Sequence, residues 1–154
     1  MAFSWFVFKI KNLIFNYLFI KQDIGAQIGE YSLYVAKTGR KVLTVEPFHD
    51  NIVRIHKAAY GASLGDRITL IANAIYNKRG EIKKMVPVEK NLGAISLIKK
   101  KNLSFNKIDI KPNDPDAKYY VETILFDDIT YEIPLKDDGT KFQKALMKLD
   151  IEVN

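Results

Sequence analysis

The run from Asp23 to Gly29, DIGAQIG, constrains the fold of this chain more than any other segment. It lies between a short aromatic and β-branched run, Tyr17–Lys21, and a stretch with helical spacing, Glu30–Thr38. A glycine at a strand end allows a tight turn and lets a ligand approach the backbone closely. The pattern therefore predicts a strand, a turn over residues 23–29, and a helix whose unpaired N–H groups and positive dipole end face that turn.

The next segments repeat this alternation of strand and helix. Lys41–Val45 predicts a second strand, Asn51–Tyr60 a second helix, and Ile68–Ile75 a third strand. Strands that alternate with helices about ten residues long indicate βαβ units and a parallel sheet. We therefore predict an α/β, Rossmann-like architecture, with a partial parallel sheet and flanking helices.

Beyond Tyr76 the alternation ends and the pattern becomes more varied. The remaining predictions are, in chain order, a turn at Asn77–Gly80, a strand at Glu81–Val88, irregular polar sequence to Lys111, a loop at Pro112–Asp116, a strand at Tyr119–Phe126, a turn at Pro134–Gly139, a short helix at Thr140–Met147 and a strand at Lys148–Ile151.

Composition excludes several kinds of site. The chain has no cysteine, which removes disulfides, thiolate zinc sites and a cysteine nucleophile from consideration. Its two histidines, His49 and His56, are too few for a histidine-rich metal centre, and we expect both on a helix surface. We therefore expect no metal site.

The charge distribution argues against a nucleic-acid partner. The formal net charge is +6, with 10 basic and 3 acidic residues between Lys78 and Lys111, but 5 basic and 10 acidic residues from Pro112 onward. A basic middle followed by an acidic tail is more simply a pair of complementary surfaces than a binding face for nucleic acid.

The first twenty residues, MAFSWFVFKIKNLIFNYLFI, form an apolar segment that we treat apart from the domain at residues 21–154. A membrane-spanning helix needs about 20 apolar residues, and Lys9 and Lys11 interrupt this one near its centre. Three interpretations fit it: a helix packed on the sheet, an interfacial membrane anchor, or sequence foreign to the native domain. We expect a cytoplasmic protein, with membrane association through residues 1–20 as the alternative.

The carboxylate of Glu46 follows the second predicted strand, 17 residues after Gly29. In dinucleotide folds an acidic residue in this place accepts hydrogen bonds from the ribose hydroxyls. The dinucleotide fingerprint is G-x-G-x-x-G, and here Gln27 stands where the middle glycine would be. The turn therefore predicts a nucleoside-type cofactor and disfavours NAD.

These motifs together resemble the FkbM-type methyltransferases. That family has an Asp-Ile-Gly-Ala-Asn-Ile-Gly turn, a Val-Glu-Pro strand end and an asparagine-anchored helix, and here DIGAQIG, VEP and NIVRI are similar, with Gln27 at the asparagine position. ETILFDDI is similar to the family's Thr-Leu-Asp-Asp-Leu segment, and MKLDIE to its Lys-Ile-Asp-Val-Glu-Gly motif. The resemblance runs from Lys21 to Glu152, and its first block and last motif are the specific parts.

The resemblance implies an S-adenosylmethionine-dependent O-methyltransferase with a class I methyltransferase fold, whose acceptor is a hydroxyl of a small molecule or a sugar. The methionine carboxylate of that cofactor suits a helix amino terminus. Carried over residue by residue, the resemblance places Asp23, Gly25, Gln27 and Gly29 on the methionine side of the cofactor, Glu46 on its ribose, Asn73 and Ala74 near its adenine, and Asp150 and Glu152 at the methyl-transfer site as catalytic carboxylates that orient or deprotonate the acceptor hydroxyl.

The chain departs from the family at both ends. The family has glycine after Glu152 and further strands beyond it, whereas Val153 and Asn154 follow here, and Lys21 and Gln22 replace apolar residues near the end of the first strand. We therefore expect an incomplete domain, from a truncated isoform or an incomplete gene model, with weak or no catalysis of its own. Two alternatives are a non-catalytic binding or interaction module that keeps the cofactor-binding fold, and a membrane-associated protein tethered by its first residues.

Overall fold

The computed structural model describes residues 19–88, 91–97 and 115–150. In chain order the elements are β1 (Phe19–Ile24), α1 (Glu30–Lys37), β2 (Val42–Val45), α2 (His49–Gly61), β3 (Ile68–Ile71), β4 (Ala74–Ile75), β5 (Ile82–Val88), β6 (Asn91–Leu97), a 3-10 helix (Ala117–Tyr119), β7 (Tyr120–Ile124), a second 3-10 helix (Phe126–Glu132) and β8 (Lys144–Leu149).

Four strands form a parallel sheet in the order β3-β2-β1-β8. The strands β1, β2 and β3 alternate with α1 and α2, so the predicted α/β alternation with a partial parallel sheet and flanking helices is confirmed. The register places Asp23 of β1 opposite Thr44 on one side and Lys148 on the other. These three side chains therefore project from the same face of the sheet.

The core lies on both faces of this sheet. On one face, Val35 and Ala36 of α1 pack against Val42. On the other, Leu43 and Ile24 pack with neighbouring strand residues against the second 3-10 helix. Because parallel strands are covered on both sides, they read as continuous apolar runs rather than alternating ones. Each fully buried aliphatic side chain contributes about 1.5–3 kcal/mol relative to an exposed one.

A second sheet has the order β4-β7-β5-β6, with β4 parallel to β7 and the other pairs antiparallel. The predicted single strand Ile68–Ile75 is wrong in this respect, because residues 72 and 73 separate β3 in the first sheet from β4 in the second. An apolar run does not reveal that a chain changes sheets, since both parts are partly or fully buried and equally apolar.

Three other local predictions are corrected. The helix predicted at Thr140–Met147 is wrong, because this region contributes most of β8, which pairs with β1 along six residues. The stretch expected to be irregular after Val88 contains β6. The first strand was placed at Tyr17–Lys21, but β1 begins at Phe19 and continues to Ile24; Tyr17 and Leu18 lie outside the described residues.

Within the ranges described above, no helix is both long enough and apolar enough to cross a membrane.

Candidate functional site

The turn that joins β1 to α1 is held in left-handed backbone geometry at three positions. Gly25, Gln27 and Gly29 have φ angles of 74°, 51° and 81°. The carbonyl oxygen of Val45, at the end of β2, accepts hydrogen bonds from the N–H groups of Gly25 at 2.9 Å and Ala26 at 3.1 Å. The turn is therefore folded back over the carboxyl end of β2.

Gln27 is the only one of these three positions without a glycine. A left-handed conformation costs an L-residue about 1–2 kcal/mol, and asparagine is among the residues that tolerate it best. The resemblance expects asparagine here, and the backbone gives that expectation a physical reason. Gln27 keeps the conformation while its N–H is bound by the protein, as described below.

Two features of the structure require a glycine at position 29. It is the N-terminal capping residue of α1 in a left-handed conformation, and a Cβ added to it would lie 2.7 Å from Cγ1 of Ile55 in α2. Ile55 is fully buried, so it has little room to retreat. No side-chain hydrogen bond caps this end of α1. The first N–H groups of a helix lack intrahelical acceptors, so this end suits an anion.

The carboxylate of Glu46 closes the other side of the turn. Oε2 accepts the N–H of Gln27 at 2.7 Å, while Oε1 accepts the N–H of Phe48 at 3.0 Å and a side-chain N–H of Asn51 at 3.2 Å. A carboxylate has about four acceptor sites. With three of these filled, Glu46 can accept about one more hydrogen bond, at Oε2.

Burial is the main influence on the pKa of Glu46, because only 4% of the residue surface is exposed. It raises the pKa of this carboxyl above its ordinary value, and repulsion from Asp23 adds to the rise. The three hydrogen bonds from Phe48, Asn51 and Gln27 act in the opposite direction, because they stabilise the charged form. The net direction is upward.

Asp23 is completely buried at the end of β1. Its Oδ2 accepts the hydroxyl proton of Ser32 in α1 at 2.7 Å, and the Ser32 oxygen lies 2.8 Å from the Thr44 hydroxyl. Serine has one hydroxyl proton, so Thr44 must be the donor in the second bond. The chain of bonds from Thr44 through Ser32 to Asp23 fixes α1 to β1 and β2.

Lys148 of β8 supplies a positive partner to Asp23. Its Nζ lies 3.3 Å from Oδ1 of Asp23 and 3.5 Å from Oδ2 of Asp150. Asp150 follows β8, and its N–H donates to the carbonyl of Ile24 at 2.9 Å. The side chain of Asp150 is 59% exposed. Lys148 therefore joins a buried carboxylate beneath the turn to an exposed one beside it.

Asn73 and Ala74 lie where the chain crosses between the sheets. The side-chain amide of Asn73 donates to the carbonyl of Glu122 at 3.2 Å. Ala74 is buried in a cluster with Met85 and Val121, against which Phe48 packs. Since the N–H of Phe48 also donates to Glu46, Phe48 joins the cluster that contains Ala74 to the Glu46 carboxylate.

The ETILFDDI segment, residues 122–129, is bonded to the turn between β4 and β5. The buried Thr123 hydroxyl accepts the N–H of Glu81 at 3.0 Å and donates to the carbonyl of Lys78 at 2.8 Å. Asp128 accepts the Leu125 N–H at 2.9 Å and pairs with Arg79. Thr123 and Asp128 therefore have a structural role in holding this segment against the turn.

The structure brings most of the predicted site residues together at the carboxyl edge of the parallel sheet. They are Asp23, Gly25, Gln27, Gly29, Glu46 and Asp150. Ala74 belongs to the cluster against which Phe48 packs, and the Asn73 amide is bonded to Glu122, so neither of them is shown to contact this group. Glu152 lies outside the described residues.

Four residues of this region were not predicted as site residues from the sequence. Ser32, Thr44 and Asn51 are polar residues on otherwise buried faces, and that mismatch is the signal that could have found the first two. Lys148 left no local signal, because its partner Asp23 lies 125 residues away in the chain.

In the described part of the chain, no group of three or more histidine, aspartate or glutamate side chains could hold a metal ion. Compared with known proteins, the chain matches no family profile, no curated protein and no solved structure.

Proposed function

We propose that this chain is a class I, S-adenosylmethionine-dependent methyltransferase domain that acts on a hydroxyl group of a small molecule or sugar. The observation that supports it most is the pairing of Glu46 with the glycine turn at 2.7 Å, through the Gln27 N–H. This pairing puts a carboxylate and an uncapped helix terminus on the same edge of a parallel sheet, where α/β folds bind their ligands.

The residues present fit the two ends of this cofactor. The amino end of α1, begun by Gly29, suits the methionine carboxylate. Glu46 has acceptor capacity left at Oε2 for a ribose hydroxyl. A diol that donates two bonds would displace one present donor, and we expect the Asn51 amide, whose 3.2 Å bond is the longest of the three, to leave. When bound, the cofactor supplies an electrophilic methyl group.

Asp150 is the residue that we propose to orient the acceptor hydroxyl. It lies exposed beside the turn, and its backbone is fixed to Ile24. An ionised carboxylate in this position would orient the acceptor hydroxyl and take up its proton. Lys148 holds this carboxylate from the side of Asp23 and limits where it can point.

Titration calorimetry with S-adenosylmethionine, S-adenosylhomocysteine and NAD⁺ tests the cofactor part of this proposal. We expect binding of the first two and none of the third. Gly29→Ala should weaken binding at least tenfold. Gly39→Ala is the matched control, since Gly39 has the same φ of +81° with no atom within 4 Å of an added Cβ. Absence of binding to the unmodified chain would contradict the proposal.

Formation of S-adenosylhomocysteine in the presence of a panel of monosaccharides and phenols tests the catalytic part. Asp150→Asn should lower turnover while leaving cofactor affinity unchanged. Asp66→Asn is the control, because Asp66 is similarly exposed and pairs with Arg67 away from the turn. Because the sequence predicts weak or no catalysis by this chain alone, the same assay is also run on a chain extended with the further strands of the resembled family. Cofactor binding without turnover by that extended chain would favour the alternative, a non-catalytic binding module.

A further inference from the structure

The outer edge of β8 carries backbone groups that have no partner in the described part of the chain. β8 ends the parallel sheet and pairs with β1 along its whole length. The N–H of Asp150, which follows β8, donates to Ile24 of β1. Backbone groups of successive strand residues point to alternate sides in the plane of the sheet, so the N–H and C=O groups of Ala145, Met147 and Leu149 point away from β1. Such an edge is a template for another strand.

The sequence of β8 is that of an interior strand rather than a protected edge. KALMKL contains no proline, and its register with β1 has no bulge. Met147 and Leu149 project from one face of the sheet and Leu146 from the reverse face, so apolar side chains lie on both faces. They are 37%, 55% and 48% exposed. Apolar residues on both faces are typical of strands that have a neighbour on each side.

We infer that β8 of a second copy of this chain pairs with this edge, antiparallel, about a two-fold axis at Met147. In this register Ala145 lies opposite Leu149 of the second copy, and Met147 lies opposite its own counterpart. The outward N–H and C=O groups then face each other and form about six backbone hydrogen bonds. Each face of the sheet continues into the same face of the second copy, so neither set of apolar side chains has to turn around. The inference does not depend on the proposed function.

Charge complementarity selects both the second copy and this register. With the axis at Met147, Lys144 lies opposite Asp150 of the second copy, and the two-fold axis makes this pair twice. These are pairs without mutual hydrogen bonds, in which side chains approach most closely, and opposite charges stabilise them. An axis at Leu146 would put Lys144 opposite Lys148, and an axis at Lys148 would put that lysine opposite itself. Like charges directly opposite each other are destabilising.

Sedimentation velocity of the full chain over a series of concentrations tests the association. A single strand pair buries little surface, so we expect a dimer that dissociates reversibly on dilution. Lys144→Glu places two carboxylates opposite each other and should raise the dissociation constant of the dimer at least tenfold. Lys57→Glu is the control, because it makes the same charge change at an exposed position of α2. Far-ultraviolet circular dichroism checks that each variant is folded.

The absence of cysteine from the chain allows the register to be tested by cross-linking. In the proposed register the two Met147 Cα atoms are about 5.5 Å apart, which is within the range of a disulfide. Met147→Cys should therefore give a covalent dimer on mild oxidation. Leu146→Cys is the control, since Leu146 is also exposed but its two Cα atoms would be about 8 Å apart, too far to bridge.

Three outcomes would overturn the inference. A chain that stays monomeric at every concentration would mean that this edge does not pair with a second copy, whether another segment or a different protein covers it. A dimer that Lys144→Glu and Lys57→Glu weaken equally would place the interface away from β8. Cross-linking of Leu146→Cys as readily as Met147→Cys would exclude the two-fold axis at Met147.

Discussion

Replacing Gly29 by alanine separates two requirements that the structure places on one residue. The first is the left-handed backbone, with φ of +81°, which costs an alanine about 1–2 kcal/mol. The second is space, since the added Cβ would lie 2.7 Å from Cγ1 of the buried Ile55. Overpacking of a core typically costs a further 1–3 kcal/mol or so. We therefore expect Gly29→Ala to lower the free energy of unfolding by about 2–5 kcal/mol in total.

The matched change Gly39→Ala isolates the backbone part. Gly39 has the same φ, and its added Cβ would meet nothing within 4 Å. The entropy that alanine removes from the unfolded chain is common to both variants and cancels in the comparison. The difference between them, about 1–3 kcal/mol, is thus the steric contact with Ile55. Chemical denaturation with guanidinium, at equal m-values, measures both.

A double-mutant cycle with Ile55→Ala tests whether the contact itself is the cause. Ile55→Ala alone should cost about 2–5 kcal/mol, because it empties a buried site. Combined with Gly29→Ala it should cost less than the sum, because the atom that the new Cβ meets is gone. Equal destabilisation by Gly29→Ala and Gly39→Ala, or strict additivity with Ile55→Ala, would refute the reasoning.

Three further predictions address the polar contacts around the site. The pKa of Glu46 is raised in the folded protein. The contribution of this group to the free energy of unfolding is therefore complete below the ordinary pKa of a glutamate and is lost as the pH rises through the raised value. Urea unfolding at a series of pH values should show this loss in the unmodified chain and not in Glu46→Gln. Ser32→Ala removes a donor from the buried Asp23 and should cost about 1–3 kcal/mol of unfolding free energy, and a smaller change would contradict a tight bond there. Thr123→Val removes two hydrogen bonds, from the Glu81 N–H and to the Lys78 carbonyl, and at about 0.5–1.5 kcal/mol each should cost about 1–3 kcal/mol. Thr130→Val, whose bond is exposed, should change stability by less than about 0.5 kcal/mol.

The elements that could be predicted from the sequence are those determined by local patterns of apolar residues and glycines. β1, α1, β2, α2 and β3 alternate in apolar periodicity, and glycine marks the turn before α1 and the end of that helix, so their existence and order could be read directly. β8 could not. Its alanine, leucine, methionine and lysine residues are good helix formers. The strand forms because it pairs with β1, about 125 residues earlier in the chain, and no local pattern encodes that pairing.

The candidate site divides in the same way. Gly25, Gly29 and Glu46 were predicted because glycine tolerance and the spacing of a carboxylate are local properties. The support beneath them was not, since Ser32 and Thr44 act through contacts between elements. Asp23 was expected to line the cofactor. In the structure its carboxylate is enclosed by Ser32 and Lys148, so its present contacts hold α1 and β8 in place, and a cofactor contact stays a prediction.

β8 joins the proposed catalytic carboxylate, Asp150, to the parallel sheet. The strand carries Lys148 and leads into Asp150, yet it is the least covered strand of the parallel sheet. The glycine turn and Glu46 are fixed instead by β2 and α2, through Val45 and Asn51. A change that disturbs β8, such as Leu149→Lys, should therefore shift Asp150 and leave the turn between β1 and α1 in place. Under the proposed function, Leu149→Lys would then reduce turnover more than it reduces the affinity for S-adenosylmethionine. A parallel loss of both would instead mean that β8 and the turn form one cooperative unit, joined through the Asp23–Lys148 pair.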